Sequence, residues 1–111
     1  MDKKAALAVI AGFRQELEKQ GIRVSRLILF GSFAAGRHHE DSDIDLVVIS
    51  EDFTGKSFWE RVEILANAVY EVFQPIEATA LTPEEWDKGE RRAELARIVD
   101  YAKDGEVVYG A

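Results

Sequence analysis

Two aspartates, Asp43 and Asp45, stand two positions apart at the start of an apolar run. Side chains with this spacing on a strand point to one face, so we expect the two carboxylates to converge. Like charges about 4 Å apart repel by roughly 4 kcal/mol at an effective dielectric near 20, but by only about 1 kcal/mol in water. Magnesium, which binds one or two carboxylates together with substrate phosphates, would remove the conflict. The pair therefore predicts either a metal site or two solvated turn residues.

A Gly31-Ser32 pair directly follows the preceding apolar run, which ends at Phe30. A glycine at the end of a strand lets backbone N–H groups and a neighbouring hydroxyl approach a phosphate closely. An ordinary turn is the alternative for this pair taken alone. Together with the two aspartates, the corner predicts a site for a phosphate that is carried by a divalent cation.

The elements that must position these residues can be read from the apolar spacing. It predicts helices over residues 3–20, 57–73 and 83–103, a helical turn at 33–35, and strands over 24–30, 44–49, 76–81 and 106–110, the last a short edge strand. The run 44–49 is apolar almost throughout, which is typical of a central strand covered on both faces. We therefore predict an α/β (α+β) fold with a small mixed β-sheet of three to four strands flanked by helices.

Helix boundaries and inward faces are also predicted. Ser57 with Glu60, and Thr82 with Glu85, have the spacing of capping boxes. The inward stripes are expected to consist of Leu7, Ile10, Phe13 and Leu17 in the first helix, and of Phe58, Val62, Leu65, Val69 and Val72 in the second. Trp59 and Trp86 are expected to pack in or at the core, with base stacking as the alternative.

Composition limits the classes of function. The 111 residues suit one compact domain, 1–111, and contain no apolar run of membrane-spanning length. A formal net charge of −7 opposes extended, sequence-independent binding to nucleic acid. The lack of cysteine excludes disulfides and thiolate metal sites and is compatible with the cytoplasmic location that we predict.

Other polar and charged residues lie near the two motifs in the sequence. His38 and His39 could be read as metal ligands, but adjacent residues rarely share one coordination geometry, so we predict a solvated loop. Arg37 is a candidate contact for a bound triphosphate, as is Lys56, with a solvated surface charge as the alternative for each.

Taken jointly, G-S-x-A-x-G followed by S-D-x-D-L resembles the nucleotidyltransferase signature of the DNA polymerase β superfamily. The residues that carry the resemblance are Gly31, Ser32, Ala34, Gly36, Ser42, Asp43, Asp45 and Leu46. The chain is similar over essentially its whole length to a minimal nucleotidyltransferase, which implies the palm-like fold of that group.

The resemblance also implies a chemistry. Such enzymes bind a nucleoside triphosphate with Mg²⁺ and transfer its nucleotidyl group to a hydroxyl. For this chain we predict ATP or another nucleotide as substrate and AMP as the transferred group. Gly31 and Ser32 would contact the triphosphate, and Asp43 and Asp45 would ligate the two metals that clamp an in-line displacement. The family has a third carboxylate on the third strand, for which Glu77 is the candidate catalytic and metal-binding residue.

Glu77 departs from the family pattern, which usually has aspartate at this place. It keeps the charge but extends the side chain by one methylene, and a misplacement of about 1 Å can cost roughly a hundredfold in rate. Three interpretations stay open: a working base, a weakened base, and an edge-strand residue that faces water.

Partners follow from the resemblance alone. Minimal nucleotidyltransferases often pair with a small helical partner of the HEPN type in toxin–antitoxin systems, where they neutralise the toxin, in some cases by adenylylating it. The resemblance thus implies an acceptor on a protein partner or across a homo-oligomer. The alternatives are an antitoxin-like module that acts by contact, with weak or no catalysis, and a nucleotide-binding domain without transfer.

Overall fold

The computed structural model describes residues 1–88 and 93–110, and the side chains of all of these except residues 93–95. The helices are α1 (Lys3–Lys19), α2 (Ser32–Ala35), α3 (Phe58–Val72), α4 (Pro83–Lys88) and α5 (Ala93–Ala102). The strands are β1 (Arg26–Phe30), β2 (Ile44–Ile49), β3 (Ile76–Leu81) and β4 (Glu106–Tyr109), and a 3-10 turn covers Glu51–Phe53.

The described strands form one mixed sheet in the order β3-β2-β1-β4. Strand β1 is antiparallel to both β2 and β4, whereas β2 and β3 are parallel and are connected through α3. Strand β2 is central and is buried at every position except Asp45, which is half-buried. The predicted α/β fold, the central strand and the edge strand are therefore confirmed.

Different helices cover the two faces of the sheet. On one face, residues such as Leu27 and Leu46 join a core cluster with Phe13 of α1 and Leu65 of α3. The opposite face packs against α5 in a smaller cluster that consists of Ile28, Val47, Ile49, Leu81, Val99 and Ala102. Because side chains alternate along β2, Asp45 lies on the same face as Val47 and Ile49. The α5 face of the sheet therefore carries the candidate site.

Both predicted capping boxes are present. The Ser57 hydroxyl accepts a hydrogen bond from the Glu60 N–H, and the Glu60 carboxylate accepts one from the Ser57 N–H. Thr82 and Glu85 make the same reciprocal pair at 2.8 and 3.1 Å. Each box satisfies two of the N–H groups that have no partner within their helix, which fixes where α3 and α4 begin.

The predicted inward stripes are partly wrong. In α1 the side chain of Leu7 is 38% exposed, and Ala6 takes the buried position above Ile10. In α3 the side chain of Phe58 is 38% exposed, and the fully inward positions include Arg61. The guanidinium of Arg61 hydrogen-bonds to Ala80 and Glu85, and a count of apolar residues does not consider such polar contacts.

The two tryptophans behave differently. Trp59 is 74% exposed, so its predicted packing in or at the core is wrong. Trp86 is half-buried against the cluster under α5, as predicted. The predicted helix over 83–103 is observed as α4 and α5, and residues 89–92 of that prediction lie outside the described part of the chain.

Among the helices that the structure describes, none combines the length and the apolar character needed to cross a lipid bilayer.

Arg61 connects α3 to the end of β3. It is only 8% exposed, and its guanidinium donates to the carbonyls of Lys56 and Ala80 and, at 2.6 Å, to the Glu85 carboxylate. Burial acts to raise the pKa of Glu85, but the hydrogen bonds from Arg61 and Thr82 outweigh it and hold that pKa below its usual value. A buried guanidinium with these partners is stable only while the carboxylate is present.

We expect Glu85→Ala to lower the free energy of unfolding by about 2–4 kcal/mol, because it leaves a buried cation unpaired and removes a capping box. The midpoint of urea denaturation at pH 7 measures this. Glu84→Ala is the matched control, because its exposed pair with Lys88 at 3.0 Å contributes only about 0.3–0.5 kcal/mol. Since the pKa of Glu85 is depressed, the difference from wild type should shrink as the pH falls below about 4. Equal losses for the two variants would contradict a structural role for this ion pair.

Candidate active site

Asp45 and Glu77 are neighbours in the sheet. In the parallel pair β2–β3 the Cα of Asp45 is in register with that of Glu77, and in the antiparallel pair β1–β2 it is in register with Phe30. Residues in register point to the same face, so the two carboxyl groups lie side by side. Asp43 precedes β2 by one residue, is exposed, and acts on Asp45 through its charge.

This crowding changes the acidity of Asp45. Burial, a hydrogen bond with Glu77 and the charges of Glu77 and Asp43 together raise the pKa of Asp45 from 3.8 to about 6. The sequence predicts that Asp43 is the carboxylate in conflict with Asp45, but the charge of Asp43 is the smallest of these causes. Among the neighbouring acids, Glu77 on the next strand has the larger effect on Asp45.

Gly31 lies directly against the carboxylate of Asp45. Its backbone adopts φ 73° and ψ −151°, which is a conformation that residues with a side chain avoid. A Cβ at this position would stand 2.2 Å from Oδ2 of Asp45. Two independent features therefore require glycine at position 31: its backbone angles and the position of the Asp45 carboxylate.

The corner after β1 continues into α2, as predicted. The Ala35 N–H donates to the Gly31 carbonyl at 3.1 Å, and the Arg37 N–H donates to the Ser32 carbonyl at 2.9 Å. The first N–H groups of a helix have no partner within it, so those after Gly31 can face a ligand. Arg37 is exposed, and its backbone hydrogen bond to Ser32 places its backbone next to the corner.

We expect Gly31→Ala to destabilise the fold by about 1–3 kcal/mol and, if the corner binds ATP with Mg²⁺ as the resemblance implies, to weaken that binding at least about tenfold. The added methyl group displaces the Asp45 carboxylate, whose terminal oxygen is the atom it would strike. Titration calorimetry and thermal unfolding measure the two effects. Gly36→Ala is the matched control, because Gly36 also has a positive φ of 71° but has open space around its Cβ position. Equal loss of nucleotide affinity in both variants would contradict the steric argument.

The loop between the two motif halves is more ordered than predicted. The imidazole of His38 stacks on the ring of Phe33, with ring centroids 4.4 Å apart, and its Nδ1 is buried without a hydrogen-bond partner among the described residues. The His39 N–H donates to the hydroxyl of Ser42, which is 7% exposed. The predicted solvated loop is thus wrong for His38 and correct for the exposed His39 side chain, because the stack on Phe33 closes the loop over α2.

Lys56 lies away from these residues. It follows the turn after the C-terminal end of β2, whereas Asp43 precedes the N-terminal end of that strand. Six strand residues at about 3.3 Å each separate the two ends by roughly 20 Å. Of the two interpretations of Lys56, the structure therefore favours the surface charge.

The chemistry of the acidic group fits a hard divalent cation. Across residues 1–88 and 93–110, no three or more His, Cys, Asp or Glu side chains stand gathered in a metal-binding arrangement. Asp45 and Glu77 nevertheless crowd two carboxyl groups together, and a cation would offset the burial and the repulsion that raise the pKa of Asp45. The exposed side chains of Asp43 and Glu77 are able to turn toward such an ion.

A cavity of about 310 Å³ adjoins the corner and was not predicted from the sequence. Its lining consists of Phe30, Gly31, Ala34, Ala35, Tyr101, Asp104 and Gly105. Phe30 could have been suggested by its place directly before the Gly-Ser pair. Tyr101 and the residues after it come from the far end of the chain, and no motif marks them.

The structure thus brings the Gly-Ser corner together with crowded carboxyl groups at the start of β2 and β3. Residues 10–105 match the nucleotidyltransferase domain family, and the chain belongs to this family. Membership of this family supports a transferase class of enzyme. A search of curated protein sequences gives no significant match.

Two solved structures share the fold. One is a protein from Sulfolobus solfataricus with a provisional assignment as a nucleotidyltransferase; it is 16% identical, with a TM-score of 0.69 over 95% of this chain and 80% of that one. The other belongs to a crystal structure of a toxin–antitoxin with AMP-PNP; it is 20% identical, with a TM-score of 0.57 over 89% of this chain and 72% of that one. At these identities the likeness establishes the fold.

Proposed function

We propose that this protein is a magnesium-dependent nucleotidyltransferase that transfers a nucleotidyl group, AMP from ATP, to a hydroxyl acceptor. The observation that carries the proposal is the position of Asp45, whose carboxyl group lies between Gly31 on one side and Glu77 on the other. Membership of the nucleotidyltransferase domain family supports it. A cytoplasmic location stays a prediction, with which the lack of cysteine is compatible.

Each residue has a distinct role in this proposal. The Ser32 hydroxyl and the N–H groups after Gly31 bind phosphate oxygens, and Arg37 neutralises part of the triphosphate charge. Asp43, Asp45 and Glu77 hold the divalent cations, which when bound neutralise charge that develops on the phosphates. A Glu77 oxygen accepts the proton of the acceptor hydroxyl. The hydroxyl oxygen then forms a bond to the α-phosphorus as the bond to the β-phosphate bridging oxygen breaks and pyrophosphate leaves.

The acceptor in this proposal is a protein hydroxyl. Likeness to a toxin–antitoxin structure solved with AMP-PNP supports a protein partner and an adenine nucleotide. We place the acceptor on a small helical partner of the HEPN type, with the chain acting as an antitoxin. A second copy of this chain in a homo-oligomer is the other acceptor to test.

The direct test uses ATP labelled in its α-phosphate, Mg²⁺, and the protein encoded by the neighbouring reading frame. Wild type is compared with Asp43→Asn/Asp45→Asn and with Asp87→Asn, an exposed acidic control on α4. Label on the partner or on the chain itself is expected for wild type and the control and should be lost in the double variant. Equal label in all three proteins would refute the assignment of the site.

A second candidate function is an antitoxin-like module that neutralises its partner by contact, with weak or no catalysis. The presence of Glu77 where the family usually has aspartate favours it, because Glu77 is exposed and carries a longer side chain. Neutralisation of a partner's growth inhibition that survives Asp43→Asn/Asp45→Asn, without label transfer in wild type, would establish this function instead.

A further inference from the structure

The cavity beside the Gly-Ser corner lies on the α5 face of the sheet, between α2 and the end of α5. Its volume of about 310 Å³ is at the lower end of the range for small-molecule pockets. Phe30 at the end of β1 and Tyr101 in the last turn of α5 form its aromatic wall, with ring centroids 6.3 Å apart in an edge-to-face arrangement. Ala34 and Ala35 contribute small side chains that leave the space open.

The ring of Tyr101 lines this cavity and is not part of the buried core. The side chain is 72% exposed, whereas Val99 and Ala102 of the same helix are buried against the sheet. An exposed aromatic ring at a cavity wall offers a planar face for stacking, and each base that stacks on an aromatic side chain gains about 1–3 kcal/mol in single-stranded complexes. The geometry therefore favours a flat, aromatic ligand group.

The charge in the cavity lining favours a ligand group other than phosphate inside the cavity. Asp104 is the charged residue among those that line the cavity, and its exposed carboxylate would repel a phosphate. A carboxylate instead accepts hydrogen bonds from an amino group or from sugar hydroxyls. These are the polar groups that a nucleoside carries.

The cavity also adjoins the acidic group through Gly31. Gly31 belongs to its lining and stands against Oδ2 of Asp45, and Phe30 is in sheet register with Asp45. A nucleotide with its phosphates at the corner therefore has this space directly available for its nucleoside.

We propose that the cavity is the nucleoside subsite, in which the base of the bound nucleotide stacks on Tyr101 beside Phe30. Asp104 accepts a hydrogen bond from the base or the ribose. This inference rests on the proposed nucleotidyltransferase function. It names the residues that would distinguish a nucleotide from an inorganic polyphosphate.

The test compares two probes, ATP and inorganic tripolyphosphate, each with Mg²⁺, by titration calorimetry. Tyr101→Ala should weaken ATP binding by about 5- to 100-fold and leave tripolyphosphate binding unchanged, because only ATP has a base to stack. Tyr101→Phe keeps the ring and should bind ATP within about twofold of wild type. Tyr70→Ala, at a tyrosine that is 76% exposed on α3, is the matched control and should change neither affinity.

The possible outcomes distinguish a failure of the nucleoside subsite from a failure of the proposed nucleotidyltransferase function. Unchanged ATP affinity in Tyr101→Ala, or equal loss for both probes, would overturn the nucleoside subsite while leaving phosphate binding at the corner intact. Failure of wild type to bind either probe would overturn the proposed function and the subsite together. Thermal unfolding of Tyr101→Ala establishes that the variant is folded, which the exposure of the side chain leads us to expect.

Discussion

Asp45→Asn is expected to abolish nucleotidyl transfer and, in the absence of nucleotide and metal, to make the protein more stable at pH 7. Transfer should fall by about 10³-fold or more, because metal-assisted charge stabilisation contributes several kcal/mol to such reactions and each 1.36 kcal/mol is tenfold in rate. Stability should rise by about 1–2 kcal/mol, because the variant removes a carboxylate that is held against Glu77 in a half-buried position.

The sign of the pH dependence follows from the raised pKa. Since the pKa of Asp45 is about 6 in the folded protein and near 3.8 when unperturbed, the folded state binds the extra proton between these values. Wild-type stability contributed by this group is therefore highest below about pH 4 and is lost as the pH rises toward 6. The difference in free energy of unfolding between Asp45→Asn and wild type should therefore grow as the pH rises from 4 to 6 and be nearly absent at pH 4.

Urea denaturation at pH 4 and pH 7, with and without Mg²⁺, measures these effects. Added Mg²⁺ should stabilise wild type at pH 7 and have little effect on Asp45→Asn. Asp52→Asn is a useful contrast, since hydrogen bonds from Arg23 depress the pKa of Asp52 and its removal should destabilise the protein. A wild type that is more stable than Asp45→Asn at pH 7 without metal would contradict the crowding of carboxyl groups.

Glu77→Gln is expected to reduce transfer by about 10²–10⁴-fold, which is the usual contribution of a general base, while affinity for ATP stays within a few fold. The change also removes the negative charge that Glu77 directs at Asp45, while burial, the largest cause of the raised pKa, remains. The pKa of Asp45 should therefore fall toward its ordinary value, which NMR titration of the carboxyl carbon measures. The pKa of Asp45 thus tests whether the two carboxyl groups lie next to each other, and this test needs no acceptor.

Glu77→Asp distinguishes the remaining interpretations of this residue. If the site is built for the longer side chain, aspartate withdraws the carboxyl group by about one bond length and transfer should fall roughly a hundredfold. A faster Glu77→Asp enzyme would identify Glu77 as a weakened base. Transfer that is the same in wild type and Glu77→Gln would identify it as an edge-strand residue facing water.

Much of the fold was predictable because local sequence determines it. The bounds of β2 and β3 agree with their apolar runs, and both capping boxes lie where the spacing placed them. The errors concern helix rotation. Apolar periodicity places Phe58 inward, but the guanidinium of Arg61 has to reach Ala80 and Glu85, and this tertiary requirement sets which face of α3 is buried.

The site was predictable to the extent that a motif or a strand start marks its residues. Asp45 and Glu77 each occupy the second position of a strand, so parallel strands that begin together bring them into register. Tyr101 has no such marker. Its place beside Phe30 depends on how α5 crosses the sheet, which is a property of the packed core and not of any local pattern.

The connection between β2 and β3 has a consequence for how the site is assembled. Strands β1 and β2 are consecutive, and their antiparallel pairing brings Gly31 against Asp45 within one local stretch of chain. Glu77 joins only when α3 has crossed over and β3 has paired in parallel, a non-local step that carries a greater loop-closure entropy. The contact between Gly31 and Asp45 therefore depends on a local strand pairing, whereas the placement of Glu77 beside Asp45 depends on the non-local pairing of β3.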